Sequence, residues 1–197
     1  KGAQSSSQRR FVQGLEAALY PNTPYATNSG GTPLSILDLS WEQLVQAHQT
    51  YYHPSNSFIY LYGEMDVEKH LDHLAEYLNQ FDAQDVSGIQ VDLKGGQAVP
   101  EAKTAFPISE NESSEQQAYL GYGTKFSIED HEELLLAFEI LDEILLRGNA
   151  APVKNRLLQK GLGKNIFGWF DTSSTMPSFN IGLSQTDVEK KEAFVEE

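Results

Sequence analysis

Apolar residues near the start of the chain recur every three to four positions. Phe11, Val12, Leu15, Ala18 and Leu19 form one stripe, Ser5–Ser7 offer an N-cap, and Pro21 stops the pattern. A first helix is predicted there. Residues 21–33 gather Pro, Asn, Thr and Ser around Gly30-Gly31 and read as a long ordered loop. Ser40 and Gln43 then stand at capping-box spacing before a helix that lines up Leu44, Val45, His48, Tyr51 and Tyr52. That helix must end before Pro54, because the residue ahead of a proline avoids the α region. Phe58-Ile59-Tyr60-Leu61-Tyr62 is β-branched and aromatic without alternation, the pattern of a core strand covered on both faces, and Gly63 closes it. Asp66 caps the next helix, whose Leu71, Leu74, Ala75, Leu78 and Phe81 share a stripe suited to lie on the sheet this strand enters.

Between Asp82 and Pro107 the periodicity fades into polar sequence broken by Gly88, Gly95-Gly96 and Pro100, which places a domain boundary here and divides 1–95 from 96–197. Beyond it, strands are predicted near Thr104–Ser109 and Gln116–Thr124. A helix follows from Glu129 to Leu146, with Leu134, Phe138, Leu141 and Leu145 in register, and Gly148-Asn149 breaks it. A short helix has Pro152 in its first turn and Gly161 at the C′ position. Strands Asn165–Phe170 and Ser178–Leu183 precede a helix capped by Asp187. This order predicts an α+β fold of mainly antiparallel sheets flanked by helices. The chain opens on Lys1-Gly2 and closes at Glu197 within a helical pattern, so both ends are expected to be cuts in a longer polypeptide.

Composition narrows the partners. The 197 residues are 40% apolar, enough for a packed core, and 14 Lys+Arg against 28 Asp+Glu leave a formal charge of −14. With no basic stretch to oppose that charge, neither nucleic acid nor an anionic membrane is an expected partner. Cysteine is absent, which removes disulfides, thiolate metal sites and cysteine nucleophiles. No run approaches the ~18 apolar residues of a membrane span, and the first thirty residues lack a signal-peptide pattern. A soluble protein of the cytoplasm is expected.

No complete catalytic or metal motif emerges from the residues themselves. His70 and His73 lie three apart on a helix and could in principle face one metal, but the stripe of Leu71, Leu74, Ala75 and Leu78 turns His73 toward water and leaves His70 on its flank. His131 heads His-Glu-Glu-Leu-Leu, in which Leu135 stands where a zinc helix needs its second His; an acidic first helical turn is the simpler reading. Ser29 has Thr27 where a nucleophile elbow has glycine. Gly121-x-Gly123 has Phe126 at the third glycine of a dinucleotide fingerprint, so close packing on a strand fits better. Phe167, Trp169 and Phe170 either line a groove or fill a core, core being the commoner use.

A combination of short segments carries further. Tyr25, Asn28-Ser29-Gly30-Gly31-Thr32-Pro33, Tyr51-Tyr52-His53-Pro54-Ser55-Asn56 and Tyr62-Gly63 resemble the pitrilysin/insulinase superfamily of inverted-zincin metallopeptidases, in its presequence-protease-like branch. The likeness continues through Phe138–Leu146, Gly148-Asn149-Ala150-Ala151-Pro152, Gly161-Leu162-Gly163 and Phe179-Asn180-Ile181-Gly182-Leu183. It implies a large clam-shell enzyme of four homologous α+β domains closing around an unfolded peptide. Residues 1–95 would be the later part of the first domain, and 96–197 the earlier part of the second, a chamber domain. Zinc in such enzymes is held by an H-x-x-E-H helix plus a later Glu, while the motif's own Glu activates water. None of those positions falls within this sequence, so no catalytic and no metal residue is assigned, and zinc is expected in the parent alone.

By position, Phe167-Gly168-Trp169-Phe170 resembles the edge strand that anchors a substrate peptide through backbone hydrogen bonds. The partners implied are unfolded oligopeptides and the remaining domains of the parent. The rival expectation is a metal-free family member acting as a scaffold or assembly subunit.

Overall fold

The computed structural model describes residues 5–89, 92–93, 95–127 and 132–197. In chain order its elements are α1 (Ser7–Leu19), α2 (Pro33–Leu37), α3 (Trp41–Tyr51), α4 (Val67–Leu78), β1 (Ala118–Lys125), α5 (Glu132–Asp142) running into a π turn (Glu143–Arg147), α6 (Pro152–Gln159), β2 (Asn165–Asp171), β3 (Ser178–Thr186) and α7 (Lys191–Glu196). Helix ends follow their caps. Ser6 accepts from the Arg9 N–H, Ser40 and Gln43 close a reciprocal capping box, and Asp66 accepts from the Lys69 N–H. Gly161, at φ +64, follows α6 in the left-handed conformation that ends it.

The chain packs as two compact units, Lys1–Gly30 with Asp92–Glu197, and Gly31–Val91. These units record packing, in which α1 belongs with the later half of the chain.

In the larger unit the sheet order is β1-β3-β2, antiparallel throughout, which is the predicted α+β arrangement. Leu120, Leu157, Leu162, Ile166, Leu183 and Phe194 form the core on one face, where α6 and α7 deliver Leu157 and Phe194. The opposite face is nearly flat because glycines line it. A Cβ on Gly121 would lie 2.6 Å from the Phe11 ring, one on Gly123 3.0 Å from Leu19, and one on Gly182 2.5 Å from the Phe167 ring. Helix α1 can therefore press Phe11, Leu15 and Leu19 onto the strands. The Gly121-x-Gly123 motif serves close packing.

The smaller unit holds α2, α3 and α4, and none of its described residues is buried. Here the expected core strand fails: no strand is formed over 57–62, and Phe58 and Tyr62 are 90% and 87% exposed. A strand exists by pairing its N–H and C=O groups with a neighbour, and among the described residues none is offered. The stripe of α4 accordingly has no sheet to lie on, and Leu71 is 54% exposed.

Three further expectations change. Residues 104–109 form no strand; Pro107 has no N–H to give a ladder, and Phe106 docks instead through its ring, edge-on to Tyr119 at 5.8 Å. Asp187 does not cap a helix with its side chain, because Oδ1 accepts the Gln116 N–H from across the sheet. The predicted start of the long helix at Glu129 lies outside the described residues. Within α5, Phe138 faces the sheet as expected, but the buried positions after it are Asp142 and Leu146 in place of Leu141 and Leu145.

Candidate functional site

Strand β2 is the element onto which sequence reading placed Phe167, Gly168, Trp169 and Phe170, and it lies at one edge of the sheet. Its register against β3 pairs Phe167 with Gly182, Gly168 with Ile181, Trp169 with Asn180 and Phe170 with Phe179. Among the described residues β3 is its single ladder neighbour, so the outer backbone edge of β2 meets no other strand.

Strand alternation sends the four side chains to two faces. Phe167 and Trp169 stack on each other at 6.0 Å on the α1 side, with Phe11 edge-on to Phe167 at 6.0 Å. On the other side Phe170 stacks on Phe138 at 5.4 Å, and Phe138 on Phe126 at 4.5 Å. Gly168 permits the closest approach: a Cβ there would overlap Leu146 Cδ1 and lie 3.0 Å from the Asn180 carbonyl oxygen. The two readings of the aromatic set therefore combine. All four residues are half-buried, their rings fix the strand between two helical layers, and its backbone edge stays at the sheet margin.

The far end of β2 is tied down by tyrosines of the α1 segment. Tyr20, 3% exposed, donates its hydroxyl to the Met176 carbonyl at 2.7 Å, and Ser174 Oγ donates to the Tyr20 hydroxyl at 3.1 Å. The Thr175 N–H donates to the Tyr25 hydroxyl at 3.2 Å, while the Ser173 N–H turns back onto Asp171 Oδ1 at 2.8 Å. An acidic pair missed in the sequence lies here as well. Partial burial, and then the charge of Asp171, push the Glu16 carboxyl above its ordinary range. No periodic signal marks that pair, since Glu16 and Asp171 are 155 positions apart in a chain rich in acids.

The other sequence candidates do not converge. His70 is exposed, with Nδ1 2.8 Å from the Asp66 carbonyl oxygen, and the side chain of His73 is 87% exposed. Ser29 is exposed in its loop. His131 lies outside the described residues. Among the described residues no group of three or more His, Asp or Glu could hold a metal ion, so zinc does not fit the residues described. No described helix is long and apolar enough to cross a membrane.

These features define a class: an α+β domain with a three-stranded antiparallel sheet between helices and an aromatic edge strand. A family model for the peptidase M16 inactive domain matches residues 38–197, and the chain belongs to that family. Protein HypA of Clostridium perfringens (strain 13 / Type A) is 36% identical over 197 residues, covering 98% of this chain and 20% of that protein. The mitochondrial presequence protease of Xenopus tropicalis is 30% identical over 218 residues, covering 99% and 20%. The chain thus spans about a fifth of the length of these curated relatives. In fold it is similar to the crystal structure of a peptidase M16 inactive domain from Pseudomonas fluorescens, with TM-score 0.56 and 19% identity over 99% of this chain and 45% of that one.

Proposed function

We propose that this chain is a noncatalytic segment of a zinc-dependent, oligopeptide-degrading metallopeptidase, where it forms chamber wall and offers β2 as an edge to which an unfolded peptide adds. The observation that carries this reading is the match of residues 38–197 to the domain described as inactive in a peptidase family, joined to an edge strand held rigid by aromatic packing. Backbone pairing along β2 would give affinity without strict sequence demands, as suits degradation of varied peptides. Zinc, in this account, is bound by residues outside the chain. Residues 1–95 are assigned to the later part of one peptidase domain and 96–197 to the earlier part of the next. The remaining domains are the partners that cover the apolar surface of 31–91, for which the exposed run Phe58–Tyr62 is the support.

The test uses the full-length protein. Trp169→Asp would place a charge beside the edge and is expected to weaken binding of an unfolded peptide at least tenfold, about 1.4 kcal/mol, while Lys103→Gln, at a fully exposed position, leaves it unchanged. Unchanged affinity in a folded Trp169→Asp protein would remove the edge-strand proposal.

A further inference from the structure

Helix α1 is held by more than the sheet it lies on. A surface helix ordinarily keeps one side in water, yet every position from Arg10 to Tyr20 is buried or half-buried. The sheet accounts for the side that carries Phe11, Leu15 and Leu19. Along one flank the helix meets residues 95–106, a segment between α4 and β1 that forms neither helix nor strand and is itself mostly exposed.

That segment runs antiparallel to α1 and touches it at successive points. Gly14 stands in a helix interior, where glycine is disfavoured, and its bareness makes room: a Cβ there would lie 2.6 Å from Thr104 Oγ1. One turn on, the Val99 N–H donates at 2.8 Å to the Ala18 carbonyl, which belongs to the last turn and has no partner inside the helix. Gly95, at φ +63, closes on the turn beyond, where a Cβ would lie 2.5 Å from Thr23 Cγ2. The same segment is fastened to the rest of the unit. Lys125 Nζ donates to the Gly96 carbonyl at 2.7 Å, Glu101 pairs with Lys191 of α7 at 2.6 Å, and Phe106 meets Tyr119 edge-on. Lys125 also lies over the Tyr20 ring, 5.4 Å from its centre, and the Tyr20 hydroxyl reaches the Met176 carbonyl in the turn after β2.

We infer that residues 95–106 are a strap. Their contacts clamp α1 to the sheet, and Tyr20, at the clamped end of the helix, carries that hold to the turn 172–177 that ends β2. Loosening the strap therefore loosens the far end of β2 while the core of the sheet stays closed. The inference stands apart from the peptidase reading, because it concerns only how the larger unit is held together.

Hydrogen exchange in the full-length protein, followed by mass spectrometry of its peptides, tests the coupling. Gly14→Leu improves the helix locally but drives a side chain into the place of Thr104. The slowest amides in 95–100 and in 172–177 are both expected to exchange at least tenfold faster, while those in 118–122 and 180–184 hold. Val99→Pro, which removes the N–H given to Ala18 and touches neither Gly14 nor Tyr20, should quicken 172–177 in the same way. Unchanged exchange over 95–100 in Gly14→Leu would overturn the strap. Exchange at 172–177 that stays at its original rate in either variant would overturn the coupling, and so would equal acceleration at 118–122 and 180–184, since the hold would then not be local.

Discussion

Single residues on the α1 face of the sheet are chosen for what they leave out. Gly182 faces Phe167 and Phe11, whose rings lie 2.5 and 3.2 Å from where a Cβ would sit, so Gly182→Ala must push rings that already stack on their neighbours. Its expected cost is about 1–3 kcal/mol, read as a lower urea midpoint at unchanged m-value. Glu16 is a second residue with a signed consequence. Its folded carboxyl titrates above the ordinary range, so the native state holds that proton more tightly than the unfolded chain does. Stability is then lost as pH rises through the carboxylate range, and no contribution remains once both states are protonated. Glu16→Gln is expected to raise Tm at pH 7 by about 1–2 °C, solvent screening at this half-buried site keeping the gain small. The same substitution should leave Tm unchanged below about pH 3, where unperturbed carboxyls are largely protonated. Calorimetry at the two pH values checks the sign, and an equal shift at both would refute the electrostatic cause.

Among the elements, the β2–β3 hairpin depends on contacts far along the chain. Tyr20→Phe removes the bond to the Met176 carbonyl and the acceptor used by Ser174, with an expected cost of about 1 kcal/mol. Amide exchange at 171–177 should quicken while that in β1 holds; uniform acceleration would point to a global effect instead. Elements set by local chemistry were legible in the sequence: Ser40 with Gln43, Asp66, Pro152 and Gly161 mark ends where the structure has them. Elements that need a distant partner were not. Phe58–Tyr62 has strand composition and no neighbour to pair with, and 104–109 meets the sheet through one ring. The stripe through Leu141 and Leu145 assumed a uniform helix, whereas the structure buries Asp142, at α spacing from Phe138, and Leu146, within the π turn that follows. The edge strand itself was placed correctly as a strand, because its aromatic run between Asn165 and Asp171 is set off by Gly163 and by the Ser-Ser-Thr turn after it.

At the scale of the whole molecule, stability is carried unevenly. The buried core belongs to the unit built from 1–30 and 92–197, whereas the described residues of 31–91 bury none of their side chains fully. Phe58→Ser should accordingly shift the main unfolding transition of this chain by less than about 0.5 kcal/mol, and it should lower binding of an apolar dye. A large drop in stability would show that Phe58 is packed after all. Exposed apolar surface on this scale fits the interface proposed for 31–91, as does a chain spanning a fifth of its relatives' length. In the proposed function wall and chemistry belong to different parts of the protein, and zinc tests that separation most directly. Zinc titration and cleavage of an unfolded peptide should be followed side by side in the full-length protein and in this 197-residue chain. The full-length protein should bind zinc stoichiometrically and lose cleavage to a chelator, while the chain alone does neither. Tight zinc binding by the chain that disappears when His70 and His73 are replaced by Gln would contradict it.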